Sequence, residues 1–258
     1  MLILLPPSES KTARSRGTAT DPGSLSFPEL AAQRRELSEA LAAVSARPDA
    51  AELLGVSPNL VAEIARNTRL STAPAVPVRR LYTGVLFDAM DLAGMDTGAR
   101  RRATRRIVVV SALHGALRLG DAVAPYRMSI GARLPEVGPL AAFWRPHLGP
   151  VLTREAGSGV VVDCRSSGYA AAGRPTGPAA ERWVQVQVPG ASHHAKYTRG
   201  LVAGFLCRTD ARVSSVEQLA ATLAAAFDVR LSAPARAGAP WQLAVTPVPP
   251  SAVAATTG

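Results

Sequence analysis

Cysteine and lysine are both scarce in this chain, with two of each among 258 residues. Cys164 and Cys207 stand too far apart for a CxxC redox pair or a zinc knuckle, so neither a disulfide framework nor a thiolate metal site is expected. Nowhere do about 18 apolar residues run unbroken, which excludes a membrane-spanning helix. The run Met1 to Leu5 has no basic leader and stops at Pro6-Pro7, so the expected location is cytoplasmic, with no membrane partner. GxxxxGK[ST], GxGxxG after a strand, HExxH and GxSxG are all missing, which removes the sequence marks of nucleoside triphosphate, dinucleotide, zincin and serine-hydrolase chemistry. No internal repeat is present.

What the chain does have is 47% apolar and 19% charged residues, with 21 Gly and 21 Pro, enough to bury a sizeable core. Basic residues number 29 against 19 acidic ones, a formal +10, which favours an anionic partner without naming one. All but Lys11 and Lys196 of those basic residues are arginine. A GC-rich genome accounts for the arginine excess but not for the two exceptions. Lysine is a compact point charge whose pKa burial can tune, whereas guanidinium stays planar and charged, so these two positions are candidates for chemistry that arginine cannot do.

Four apolar runs read as buried strands: Leu2-Ile3-Leu4-Leu5, Ile107 to Val110, Val160 to Val162 and Trp183 to Val188. A helix is expected from about 28 to 46, opened by a capping-box start at Ser26, Pro28 and Glu29. Others are expected over 139–154, 196–207 and 214–226, and a C-terminal β-hairpin pairs Phe227 to Leu231 with Trp241 to Val245. The fold class is α/β (mixed α+β), a central sheet flanked by helices. Residues 1–247 are read as one domain and 248–258 as a flexible tail. Within that domain, residues 50–66 form two short helical pieces around Gly55-Val56-Ser57-Pro58, a helix-hairpin-helix outline. Such a turn aims backbone N–H groups at a phosphate, which makes Gly55, Ser57 and Asn59 candidates for contacting the backbone of double-stranded DNA without sequence preference. Arg101, Arg102 and Arg105, in the densest basic cluster, are the other candidates; a solvated helix face is the plainer reading of them.

Each apolar strand is followed at once by polar sequence. If the four run parallel, ligands bind beyond their C-terminal ends. One cleft would then collect Ser8, Glu9, Ser10, Lys11, Ser111, His114, Arg118, Asp163, Ser166, Ser167, Tyr169, His194, Lys196 and Arg199. Tyr82, and Tyr126-Arg127 after Pro125, are added as ligand contacts. Glu9, Asp163, Lys11 and Lys196 are the candidate general acid/base groups. Lys196 and Arg199 are expected one above the other on a helix's first turn, opposed to its dipole and so in want of an anion. His193-His194 with Asp163, Glu9 or Cys164 offers nitrogen, oxygen and sulfur ligands, but loop histidines are more often simply hydrogen-bonded. No metal and no cofactor is assigned.

Several separated motifs, in order, resemble the YaaA-like peroxide-stress proteins of bacteria: Leu2 through Lys11, Leu81-Tyr82-Thr83-Gly84, Ser111 through Arg118, Pro125-Tyr126-Arg127-Met128 with Gly131, Phe143-Trp144, and Ala195-Lys196 with Arg199-Gly200. Both lysines fall where that family's pattern has lysine. The resemblance implies a cytosolic protein that limits iron-driven oxidative damage under hydrogen peroxide, a mixed α/β fold with a helix-hairpin-helix element, and affinity for double-stranded DNA. It brings no established reaction. His114 stands where the family commonly has Tyr, and Leu119 where a Pro often follows. The alternative function is therefore an enzyme acting on an anionic, phosphorylated or purine-like (nucleobase-like) small molecule through Lys11 and Lys196.

Overall fold

Leu2 to Leu5 is buried at every position, as only a strand covered on both faces can be, and it lies inside a seven-stranded sheet. The structure, a computed structural model, describes residues 1–190 and 192–248, with the backbone alone at Ser192 and His193. Its strands are β1 (Leu2–Leu5), β2 (Val76–Pro77), β3 (Ile107–Ser111), β4 (Gly115–Leu117), β5 (Ala122–Val123), β6 (Arg133–Leu134), β7 (Gly138–Pro139), β8 (Val161–Asp163), β9 (Trp183–Gln187), β10 (Phe227–Ser232) and β11 (Trp241–Pro247). The large sheet runs β10-β11-β9-β8-β1-β3-β4; β2 with β5, and β6 with β7, make two small ladders.

The four apolar runs are the parallel heart of this sheet, with Ile3 opposite both Ile107 and Val162, and Val162 opposite Val184. From β1 the chain goes to β3 on one side, then crosses to β8 on the other. A polarity reversal of this kind opens a crevice at the C-terminal ends of the strands flanking the switch. The expected C-terminal hairpin is present as antiparallel β10 and β11, and β11 joins β9 in parallel.

The helices are α1 (Ala31–Ser45), α2 (Ala50–Leu53), α3 (Val61–Arg66), α4 (Val78–Leu81), α5 (Val85–Met90), α6 (Thr97–Arg106), α7 (Leu140–Ala156), α8 (Ser167–Ala171), α9 (Ser192–Arg208) and α10 (Val216–Leu223). Alternation along β1 sends Leu2 and Leu4 to one layer, with Leu37 and Leu41 of α1 and Leu148 and Leu152 of α7. Ile3 and Leu5 go to the other, with Met90 of α5, Ala99 and Ala103 of α6, Leu206 of α9 and Leu219 of α10.

Local expectations change in three places. Ser26 does not cap α1: its N–H and hydroxyl both donate to Asp121, and the entry to α1 is made instead by Phe27 in a left-handed conformation and a 3-10 turn, Pro28–Leu30. Helix α9 begins at Ser192, so Lys196 and Arg199 lie beyond its first turn, where the dipole acts less. Residues 50–66 form a single helical turn, α2, a left-handed Gly55, a Ser57-capped 3-10 turn and α3, less than the two full helices of the expected hairpin motif. The tail expected at 248–258 lies outside the described residues from 249 onward.

Candidate functional site

At the end of β1 the chain passes Pro6-Pro7, and Lys11 then forms an antiparallel bridge with Tyr82, flanked by bonds from the Thr12 N–H to Leu81 and from the Thr83 N–H to Ser10. This bridge fixes the root of the Lys11 side chain. Its Nζ donates to the Ser8 carbonyl at 2.8 Å and sits 4.3 Å from the centre of the Tyr126 ring and 5.6 Å from that of Tyr82. An ammonium over aromatic faces is attracted by their quadrupoles, yet it has lost most of its water. That desolvation lowers the Lys11 pKa to about 8; the carboxylates of Glu9 and Glu63 oppose the shift and the Arg127 charge adds to it.

Beneath the amine is a chain of hydroxyls. The Tyr82 and Tyr126 phenols are 3.1 Å apart, the Tyr126 phenol is 2.7 Å from Ser111 Oγ, and the His114 N–H donates to that oxygen. Burial raises Tyr82 to about 12 and Tyr126 well above its ordinary value, so both are neutral donors at physiological pH. Tyr169, buried against the same cluster, is raised by burial and then by the Glu9 charge; its hydroxyl has no partner among the described residues.

The rim carries charge. Arg127 faces Glu9 at 3.4 Å and Glu63 at 3.3 Å. Its backbone is clamped by the fully buried Asn67, whose Oδ1 accepts from the Arg127 N–H while its Nδ2 donates to the Arg127 carbonyl and to Ser45. Together Glu9, Ser10, Lys11, Glu63, Arg66, Pro125, Tyr126 and Arg127 line a pocket of about 160 Å³. Sites for whole drug-sized ligands run to about 300–1,000 Å³, so this one has room for one ring or one anionic head group. It offers a partly unprotonated amine, a neutral phenol, two guanidiniums and two carboxylates that both pair with Arg127, a set that leaves Arg66 and Lys11 to meet an anion and can pass a proton.

Of the residues expected in the cleft, Glu9, Ser10, Lys11, Tyr126 and Arg127 line this pocket, Ser8 and Tyr82 touch the amine, and Tyr169 packs against the cluster. The others go elsewhere. Lys196 and His194 are exposed on α9 and do not line it, and Arg199 donates to the Val186 carbonyl at the end of β9. Asp163 is fully buried in a two-bond ion pair with Arg165 and accepts from the Trp183 indole, which leaves this carboxylate no free position for acid/base work. Ser166 and Ser167 are exposed, and Ser167 borders a separate hollow beside Trp183.

Arg118 is a correction. It was expected at the C-terminal mouth, but β4 runs antiparallel to β3 and carries it back to the other end of the sheet, where it pairs with Glu155 and donates to the Arg105 carbonyl. His114 stays at the mouth yet borders a neighbouring cavity, with its ring edge-on to Tyr126. Burial, and then the Arg34 and Lys11 charges, lower its pKa to about 3. In the basic cluster, Arg102 donates to Cys207 and Arg208 and Arg106 to Leu206, capping the last carbonyls of α9. Arg101 and Arg105 are exposed, as are Gly55, Ser57 and Asn59; of this segment only Glu63 and Arg66 of α3 line the Lys11 pocket. Asn67, Glu63 and Arg66 gave no motif-level signal; a buried Asn between two polar segments is recognisable only from its partners.

Cys164 and Cys207 are free and buried, and burial pushes their thiols up to about 12 and about 11. Neither is a thiolate that meets peroxide readily. Among the described residues no three His, Cys, Asp or Glu side chains converge on a metal position, and the His193 side chain of the sequence-level suggestion lies outside them. No described helix is long and apolar enough to cross a membrane.

Sequence relatives agree with this architecture along most of the chain. It is 43% identical to a UPF0246 protein of Streptomyces coelicolor over 254 residues, covering 95% of this chain and 98% of that protein. A UPF0246 protein of Corynebacterium efficiens is 36% identical, with 85% of this chain and 90% of the relative covered, and one of Corynebacterium glutamicum is 32% identical over the same shares. The family described as "Peroxide stress protein YaaA" matches residues 1–232, which take in β1, the Lys11 bridge, the tyrosine cluster and α9, and the chain belongs to that family.

Proposed function

We propose that the Lys11 pocket binds an anionic, phosphorylated or purine-like small molecule and that Lys11, as a partly neutral amine, carries a proton to or from it. The observation behind this reading is the amine itself, set over two tyrosine rings with a backbone carbonyl and no ion-paired carboxylate. Arg66 at the rim would take the charge of the ligand, and the Tyr126 phenol would orient its polar edge. AMP, with its base or its phosphate seated in the pocket and the remainder outside, serves as a probe. In calorimetry it binds wild type, and Lys11→Arg, which keeps the charge but crowds the pocket and loses the tunable amine, weakens binding at least tenfold. Equal binding by both proteins overturns the proposal.

A second reading concerns cytoplasmic protection of DNA from iron-driven damage, by non-specific contact with duplex phosphates. Gly55, Ser57 and Asn59 between α2 and α3, Arg66 at the end of α3 and Arg69 in the 3-10 turn after it are all exposed, and this supports it. Affinity for an arbitrary duplex then falls as a power of salt concentration, and Arg69→Glu with Ser57→Glu reduces both affinity and slope. A salt-independent signal, or none, removes this reading and leaves the first untouched.

A further inference from the structure

A second cavity adjoins the Lys11 pocket. It measures about 420 Å³, is walled mostly by apolar surface from Leu25, Leu70, Ala31 and Ala124, and has Arg34 and His114 among its lining residues. The size is that of a true ligand site. Its two polar walls are unusual. Arg34 is 4% exposed and His114 7% exposed, and Arg34 Nη1 and both imidazole nitrogens have no hydrogen-bond partner and no access to solvent. Buried polar groups left unpaired are destabilising, more so when charged, and are rare in folded proteins.

The other guanidinium nitrogens of Arg34 are already committed: Nε donates to the His114 carbonyl, and Nη2 to the Ser26 and Ala116 carbonyls. Those are neutral acceptors. No carboxylate lies within ion-pair distance of Arg34 among the described residues; the Asp121 and Glu29 charges favour its charged form from further off, and the cost of burial outweighs them. The His114 ring is held only by its edge contact with Tyr126, so no hydrogen bond opposes its turning toward an incoming group.

We propose that this cavity is a binding site for a small amphiphilic monocarboxylate, its apolar body against Leu25, Leu70 and Ala124 and its acid group accepting from Arg34 Nη1 and His114 once a turn of the His114 ring opens these nitrogens to the cavity. A neutral imidazole donates one hydrogen bond and a guanidinium supplies the charge, which matches one carboxylate and rejects a dianionic phosphate. At the mouth, Arg35 steers an anion inward and Glu39 excludes a second acid group. Neither Lys11 nor Arg127 lines this cavity, so its occupancy is read separately from that of the Lys11 pocket.

The test compares octanoate with 1-octanol, which has the same body and no charge, by calorimetry on the full chain. Octanoate binds at least tenfold more tightly, from charge-assisted hydrogen bonds to two groups otherwise unpaired. His114→Phe keeps the ring volume and its contact with Tyr126 while removing both nitrogens, and weakens octanoate about tenfold with octanol unchanged. Ser38→Trp, one helical turn from Arg34 on α1, fills the cavity and abolishes both. Arg34 itself is left alone because three backbone carbonyls depend on it. Equal affinity for the two probes, no binding of octanoate to folded wild type, or undiminished octanoate binding by Ser38→Trp overturns the proposal.

Discussion

Titration of Lys11 is the most direct measurement that this structure invites, because the chain has only one other lysine to confuse it. With a pKa lowered to about 8, about a quarter of Lys11 is neutral at pH 7.5, against about one part in a thousand for an ordinary lysine. Lysine labelled with 13C at Cε yields two resonances, assigned by the Lys196→Arg variant, and the Lys11 line should move with a midpoint near 8. The same displacement appears in stability. Between pH 8 and 10.5 the unfolded chain holds a proton that the folded chain has released, so stability rises with pH across that window; below pH 8 both states are charged and the penalty stands in full. The gap from 10.5 to about 8 corresponds to about 3 kcal/mol, an upper figure because the side chain is partly exposed. Lys11→Met removes the penalty, so its urea midpoint exceeds that of wild type at pH 7 and lacks the rise between pH 8 and 10.5. A Lys11 midpoint near 10.4, with parallel stability profiles for the two proteins, would refute the desolvated amine and the function built on it.

Other substitutions probe the frame that holds the site. Asp163→Asn strands the buried Arg165 charge and should destabilise the chain by about 3–5 kcal/mol in urea titration, without changing AMP affinity per folded molecule. Gly115→Ala is strained twice, at φ +70 and by a Cβ that would stand 2.6 Å from Trp144, and its Tm should fall by several degrees; an unchanged Tm would refute the close approach of the β3 to β4 turn to the Trp144 ring. Both cysteines should resist a thiol reagent in the native protein and react promptly in denaturant, and Cys164→Ala with Cys207→Ala should leave peroxide survival of the host unaltered. Asn67→Ala releases the Arg127 backbone, and the loss should appear as weaker AMP binding with a stability decrease of about 1–3 kcal/mol.

Much of this molecule is written in local pattern. Three unbroken apolar runs, and a fourth that alternates with Gln185 and Gln187, marked the parallel strands, because a strand covered on both faces has little solvent side to make polar. The period of Val216, Leu219 and Leu223 marked α10, and the retention of Lys11 in a chain otherwise built on arginine pointed to the amine now found over two tyrosines. Long-range pairing decided the rest. Arg118 and Asp163 both follow strands and are equally polar, yet an antiparallel return takes one to the far end of the sheet and an arginine two residues on neutralises the other. Lys196 shares the rarity of Lys11 but not its burial, since α9 begins four residues earlier than its pattern suggests and leaves that side chain in solvent. Residue type determines what a group can do chemically; whether it is desolvated, paired or facing a ligand depends on which distant segments the fold sets against it, and no sequence spacing encodes that.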